Sequence, residues 1–300
     1  MFQVRVPAST ANLGPGFDCM GIALKLYCVA GFERIESGYE ISITNEGKDY
    51  IPRNENNLVF KSMKYLYDKA GKAIDGIRVT IDSAIPVTRG LGSSSAAIVA
   101  GLVGANHMLG DMFTADDILY AAYELEGHPD NVTPALLGGF DVSLCDSKKI
   151  IYSKSQVSSD LKFAAMLPDF YLQTRKSRAL LPEYTHMKNA TYNIARASML
   201  SCALAKCDAE LLKFCFRDRL HQKYRFPHIR SGEYIIRAAK RFGALGGYIS
   251  GAGPTIMSVV SGDISDFKSQ MESLIKTNLP NWRLVMLDAD NDGAVIKKNI

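Results

Sequence analysis

Pro86-Val87-Thr88-Arg89-Gly90-Leu91-Gly92-Ser93-Ser94-Ser95-Ala96-Ala97 is the stretch on which the fold turns. Before it, Ile77, Val79 and Ile81 alternate with Arg78, Thr80 and Asp82, the period-2 pattern of a half-buried strand. After it, Ala96 to Val103 has no turn signal and enough alanine to run as a buried helix. The serines stand where an N-cap and first helical turn belong. A helix start leaves N–H groups unpaired and carries the positive end of the macrodipole. Glycines remove side chains and let those N–H groups close on an anion. Strand, Gly/Ser loop and helix together have the chemistry of a phosphate cradle. A capped turn before a core helix is the alternative that the glycines alone leave open.

No Gly-Lys-Ser/Thr follows, so the loop is not of the Walker A type, and a third glycine is missing for a dinucleotide fingerprint. Without a gap, Pro86 to Ala96 resembles the P-x-x-x-G-L-G-S-S-x-A phosphate loop of the GHMP kinases. That resemblance implies an ATP site made by the whole run from Pro86 to Ala96.

Three hundred residues suit one or two domains with ample core. A net charge of +4 with scattered basic residues argues against a nucleic-acid stripe. The six cysteines form no C-x-x-C pair and no ligand spacing with histidine, so free, buried thiols in a reducing compartment are expected. Met1 to Val6 lacks a signal-like apolar region and reads as a strand. The longest apolar run, Ala96 to Ala105, is too short to span a bilayer. A cytoplasmic protein with no membrane partner is the expectation.

Residues 2–6, 21–32 and 39–44 alternate and read as strands. Between the first two lies Pro7-Ala8-Ser9-Thr10-Ala11-Asn12-Leu13-Gly14-Pro15-Gly16-Phe17-Asp18, rich in turn formers. Asn12 and Asp18 there could simply serve their own backbone. The run nevertheless resembles the first motif of homoserine kinases, and it lacks the basic residue and G-E-H ending usual in other GHMP kinases. The resemblance implies that Asp18 faces an α-ammonium group and that Asn12 binds the substrate. Asn54 to Val59 leads into a helix over Phe60 to Ala70, and the family's N-L-V segment makes Asn57 a nucleotide-site candidate.

Thr114-Ala115-Asp116-Asp117 fits a capping box opening a further helix. That helix runs into Glu124-Leu125-Glu126-Gly127-His128-Pro129-Asp130-Asn131, with Gly127 and Pro129 as stop signals. Glu124 and Glu126 cannot share a helical face, so at most one points at the nucleotide. A carboxylate, a serine hydroxyl and phosphate oxygens suit Mg²⁺. E-G-H-P-D-N again resembles homoserine kinases; aligning the helix end favours Glu124 with Ser94 (or Ser93) as Mg²⁺ ligands, and Glu126 remains the alternative. The resemblance gives His128 and Asn131 to the substrate, with Asp130 and Asn131 beside its hydroxyl.

Residues 139–152 read as the seam between domains 1–152 and 153–300. Phe163 to Leu167 and Phe170 to Thr174 look like strands, and Asn193 to Leu204 and Ala209 to Leu220 like paired helices. Cys202, Cys207 and Cys215 are then expected in the core. Thr174 to Pro182 resembles the family's T-x-x-x-R-x-x-L-P segment, which implies Thr174 and Arg178 at the substrate, the arginine on its carboxylate. Arg225 corresponds to the family's Y-R-x-P arginine, a second carboxylate candidate. Gly246 to Thr255 resembles the third GHMP motif, which implies Gly253 beside the substrate.

The implied fold is α+β, the GHMP kinase fold. Its N-terminal part resembles domain 2 of ribosomal protein S5, with a left-handed crossover, and its C-terminal part is ferredoxin-like. The implied reaction converts ATP and L-homoserine to ADP and O-phospho-L-homoserine, with Mg²⁺, in threonine biosynthesis. The resemblance also implies a homodimer. Another GHMP small-molecule kinase, of the mevalonate type, and a non-catalytic metabolite sensor are the alternatives.

Overall fold

The computed structural model describes residues 1–298. The first half contains β1 (Phe2–Ala11), β2 (Met20–Arg34), β3 (Gly38–Asn45), α1 (Leu58–Lys69), β4 (Gly76–Ser83), α2 (Ser93–Met108), α3 (Ala115–Glu126), α4 (Pro129–Leu137), β5 (Phe140–Asp146) and β6 (Lys149–Ser155). The second half contains β7 (Leu161–Pro168), α5 (Thr174–Ala179), α6 (Met187–Lys206), α7 (Ala209–Leu212), α8 (Gln222–Arg225), α9 (Gly232–Arg241), β8 (Gly246–Ile249), β9 (Ile256–Ser261), α10 (Ser265–Asn278), β10 (Trp282–Asp288) and β11 (Val295–Lys298).

Two sheets organise these elements. One runs β11-β1-β2-β4-β3, with β5 on the other end of the long β2 and β6 on β5. Its parallel pair, β3 with β4, is joined through α1. The other runs β10-β7-β9-β8 with antiparallel neighbours, the order of a ferredoxin-like sheet. The α+β expectation holds.

Alternation explains how the halves fuse. In β7, Phe163, Ala165 and Leu167 join the large core beneath the first sheet. Ala164 and Met166 join a second core with α9 and α10. β9 divides likewise, Met257 and Val259 to one core and Ile256 and Val260 to the other. A strand buried on both faces reads as a continuous apolar run, as Phe163 to Leu167 does. The expected seam at 152/153 falls inside β6, and β11 returns to pair with β1 in the first sheet.

Several local expectations are corrected. Residues 170–173 form a bend and coil, and Thr174 opens α5, because the sheet ladder ends at Pro168. The helix expected over Ala209 to Leu220 stops at Leu212. Beyond it the Asp218 carboxylate takes the backbone N–H groups of Leu220, His221 and Gln222, which turns the chain into α8. Cys215 is buried, but Cys145, Cys202 and Cys207 are exposed. The capping box is present, Thr114 Oγ1 accepting from Asp117 N and Asp117 returning to Thr114 N. No helix among the described residues is long and apolar enough to cross a membrane.

Candidate active site

A cleft of about 480 Å³ opens between the two halves. Its floor is the loop from β4 to α2. Gly90 and Gly92 have φ of 77° and 69°. A Cβ on Gly90 would stand 2.2 Å from Ser250 O, and one on Gly92 would stand 2.0 Å from Ser9 Oγ. The glycines therefore let β1 and the β8–β9 loop close on this turn, besides leaving its amides bare. No side chain caps α2, so its first N–H groups are open to an anion. Val87, Thr88, Arg89, Gly90, Gly92, Ser93 and Ser94 line the cleft. Pro86, Leu91, Ser95 and Ala96 do not; they are buried and support it. The Arg89 guanidinium binds the carbonyls of Pro168 and Asp169 at 2.9 and 2.8 Å, tying the loop to the end of β7.

Glu124 is corrected as the metal candidate. Its carboxylate accepts from Lys69 Nζ at 2.7 Å and from the Tyr65 hydroxyl, on α1 and off the cleft lining. Those hydrogen bonds, Lys69 first, hold its pKa below the usual value. Glu126, two residues on, faces the loop. It accepts from Ser94 Oγ at 2.8 Å and from Ser95 Oγ at 2.9 Å. Among the described residues no three His, Cys, Asp or Glu side chains gather as a metal centre. Ser94 and Glu126 at the cleft are hard oxygen donors. They fit Mg²⁺, which takes few protein ligands beside phosphate and water.

Gly127 ends α3 in the left-handed region, and His128 stands at the N-cap of α4 with Pro129 at its first position. This short turn delivers His128, Asp130 and Asn131 to the cleft. His128 Nδ1 lies 2.8 Å from Asp130 Oδ1, which accepts, so Nδ1 carries the proton. Burial works against the imidazolium, but the Asp130 hydrogen bond and the Asp130, Glu126 and Asp18 charges outweigh it and raise the pKa. Asn131 Nδ2 donates to the same Asp130 oxygen at 3.1 Å, and its Oδ1 accepts from Ser9 Oγ at 2.9 Å.

The β1–β2 loop forms one end of the cleft. Asn12 Oδ1 accepts from Asp18 N at 2.9 Å, and Asn12 Nδ2 donates to Gly251 O at 2.9 Å. Its amide therefore ties this loop to the β8–β9 loop. Arg178, on α5, meets Asp18 through two bonds of 2.7 and 2.9 Å. The hydrogen bond to Asp18 raises its pKa. Thr174 opens the same helix and lines the cleft. Arg225 is 2 % exposed; burial lowers its pKa to about 10. Its Nη1 donates to Gly251 O at 2.9 Å and to His221 Nδ1 at 3.0 Å. Gly251 and Ala252 line the cleft, and Gly253, expected there, does not. Asn57 lines it too, but its amide is spent as the N-cap of α1 and on Pro52 O.

Sequence reasoning missed three supporting residues. Ser9 fixes the Asn131 amide. His221, fully buried, donates from Nε2 to Gly14 O at 2.7 Å and accepts from Arg225, so it is neutral. Burial accordingly pulls its pKa down to about 4. Phe17 stacks on His221, with the Arg178 and Arg225 guanidiniums 5.6 and 5.5 Å from its ring centroid. The i,i+4 spacing of His221 and Arg225 was the available signal.

Two family profiles match, GHMP kinases N terminal domain over residues 57–139 and GHMP kinases C terminal over 199–276. Homoserine kinase of Clostridium beijerinckii is 42% identical over 297 residues, 99% of this chain and 98% of that one. A crystal structure of homoserine kinase from Cytophaga hutchinsonii superposes with a TM-score of 0.86 at 26% identity, covering 98% of this chain and 96% of the other. L. major mevalonate kinase, at 15% identity, shares the fold with a TM-score of 0.74 over 96% of each chain. With both GHMP domains in order and that identity along nearly its whole length, this chain belongs to the homoserine kinase family of the GHMP kinases.

Proposed function

We propose that the chain transfers the γ-phosphoryl group of ATP to the hydroxyl of L-homoserine, giving O-phospho-L-homoserine, a step of threonine biosynthesis. One observation carries the reading. A single cleft holds an uncapped helix start for phosphates and, with it, Asp18, Arg178 and Arg225 for a charged amino acid. The open amides of α2 hold the β- and γ-phosphates and stabilise charge spreading over the transferring group. Ser94 and Glu126 would hold Mg²⁺, which would neutralise phosphate charge. Asp18 takes the substrate ammonium; Arg178 and Arg225 take its carboxylate, for which a planar guanidinium suits better than an ammonium. His128, Asp130 and Asn131 form a fixed cluster that aims the hydroxyl at the phosphorus. Positioning of this kind supplies most of the rate in a loose phosphoryl transfer.

The test is ADP formation from ATP and Mg²⁺ with L-homoserine, run beside mevalonate. Turnover of homoserine alone is expected. Turnover of mevalonate alone, or nucleotide binding without turnover, overturns the reading. A mevalonate-type acceptor also leaves Asp18 without a partner.

We further infer a cytoplasmic homodimer. Free thiols, three of them exposed, support a reducing compartment. Met187 and Ile194 on α6 are 80% and 66% exposed, a surface that a second copy would cover. Light scattering measures the mass in solution; a monomer at micromolar concentration rejects the dimer.

A further inference from the structure

Of the charges that line this end of the cleft, Asp18, Arg178 and Arg225, the first two are bonded to each other. Arg178 Nη1 donates to Asp18 Oδ2 and Nη2 donates to Oδ1, a fork-to-fork pair. Asp18 stands on the β1–β2 loop and Arg178 on α5, so the pair bridges the cleft walls. The side chains are 30% and 44% exposed, so solvent only partly screens them. Both carboxylate oxygens of Asp18 are bonded to Arg178.

Glu126 is engaged at both oxygens, and Asp130 at one. Glu126 accepts from two serines, one on each oxygen. Asp130 Oδ1 is taken by His128 and Asn131. Arg225 still has a buried Nε without a partner. Arg178 thus holds both oxygens of Asp18, while Arg225 lines the same cleft with its Nη1 on Gly251 O and His221.

We propose that Asp18–Arg178 is an exchangeable ion pair that selects zwitterions. The incoming ammonium takes Asp18 while the incoming carboxylate takes Arg178 together with Arg225, so no charge is left alone. A ligand with only a carboxylate must draw Arg178 away from Asp18 and strand that carboxylate. A ligand with only an ammonium strands Arg178 beside Arg225. Selectivity comes from the pair that must be broken as much as from the contacts formed, as expected where the wrong ligand leaves charges unpaired. Phe17, flanked by both guanidiniums, gives Arg178 a surface to rest on when it leaves Asp18. The inference rests on the proposed assignment of this end of the cleft to the amino acid.

Three ligands separate the alternatives by calorimetric binding: L-homoserine, 4-hydroxybutyrate, which lacks the ammonium, and 3-aminopropan-1-ol, which lacks the carboxylate. The wild-type protein should bind each singly charged ligand at least about 100-fold more weakly than homoserine. Asp18→Asn keeps the size of the side chain and releases Arg178. It should bind 4-hydroxybutyrate at least about 10-fold more tightly than wild type does, while losing homoserine affinity. Arg178→Gln should show the mirror gain for 3-aminopropan-1-ol. Retained ATP binding shows each variant to be folded. If both variants bind their singly charged ligand no better than wild type, the exchange is wrong. If the wild-type protein fails to phosphorylate homoserine, the functional reading fails instead.

Discussion

Ser9 and Asn131 are joined by a buried hydrogen bond, Ser9 Oγ donating to Asn131 Oδ1 at 2.9 Å. The bond turns the Asn131 amide so that its nitrogen faces Asp130. Ser9 in turn packs against Gly92, where an added Cβ would lie 2.0 Å from Ser9 Oγ and where φ is 69°. The β4–α2 loop and the His128–Asp130–Asn131 cluster thus share one contact. Gly92→Ala should therefore act on both. Left-handed strain of about 1–3 kcal/mol lowers the melting temperature, and displacement of Ser9 lowers kcat. A variant that loses only ATP affinity, with unchanged melting temperature, contradicts this coupling.

Glu126 and Glu124 separate cleanly by geometry. Glu126→Gln should lower kcat by about 10²-fold or more, as loss of transition-state electrostatics does, and raise the Mg²⁺ concentration needed for half activity. Glu124→Gln, whose carboxylate meets Lys69 and Tyr65 on α1, should leave both within a few-fold of wild type. Titrating Mg²⁺ in the assay decides between them, and the reverse ranking would restore Glu124.

Transfer should need no carboxylate base. The Asp130 oxygen Oδ1 is occupied by His128 Nδ1 and Asn131 Nδ2. Asp130→Asn still offers an acceptor there, and kcat should fall by less than the ~10²–10⁴-fold that a positioned base supplies. The same change removes an anion that raises the His128 pKa, so that histidine should titrate lower by NMR. A loss near 10⁴-fold with the acid limb of the kcat profile gone would identify Asp130 as the base.

Asp141 is a stability liability behind the site. It is fully buried on β5; Oδ1 accepts from Ser143 Oγ at 2.9 Å and Oδ2 has no partner. Burial pushes its pKa well above the usual carboxylate value, and the Asp130 charge adds to the rise. A raised pKa contributes stability that is complete below the unfolded value of about 3.9 and is lost as pH rises through the folded value. Asp141→Asn should therefore melt higher than wild type at pH 8, with the advantage shrinking as pH approaches 4. An advantage that is constant with pH points to packing instead of charge.

Local chemistry was what the sequence displayed. The loop from Pro86 to Ala96 was legible because a tight turn into an uncapped helix start needs glycines and small polar residues at that place. Thr114 and Asp117 were legible because a capping box is closed within four residues. The choice between Glu124 and Glu126 was not, because it depends on how α3 is rotated against α1, where Tyr65 and Lys69 offer Glu124 a partner. After α7 ends at Leu212 the chain is turned into α8 by Asp218, whose carboxylate also accepts from Asn193 Nδ2 at 2.7 Å, a contact 25 residues away. Gly251 replaced Gly253 at the cleft because the bend of the β8–β9 loop aims its carbonyl at Asn12 and Arg225. The choice of Glu126 and of Gly251 turns on long-range partners that no local pattern encodes.

Pairing of β11 with β1 has a consequence for how the protein is made. β1 begins at Phe2, and its outer partner is residues 295–298. On the ribosome, that edge of β1 stays open while the whole ferredoxin-like sheet is being synthesised. An unpaired strand edge is a template for other chains. The emerging polypeptide is therefore vulnerable to association at this edge until residues 295–298 arrive, and the first sheet cannot finish as an independent unit, as N-terminal domains ordinarily do.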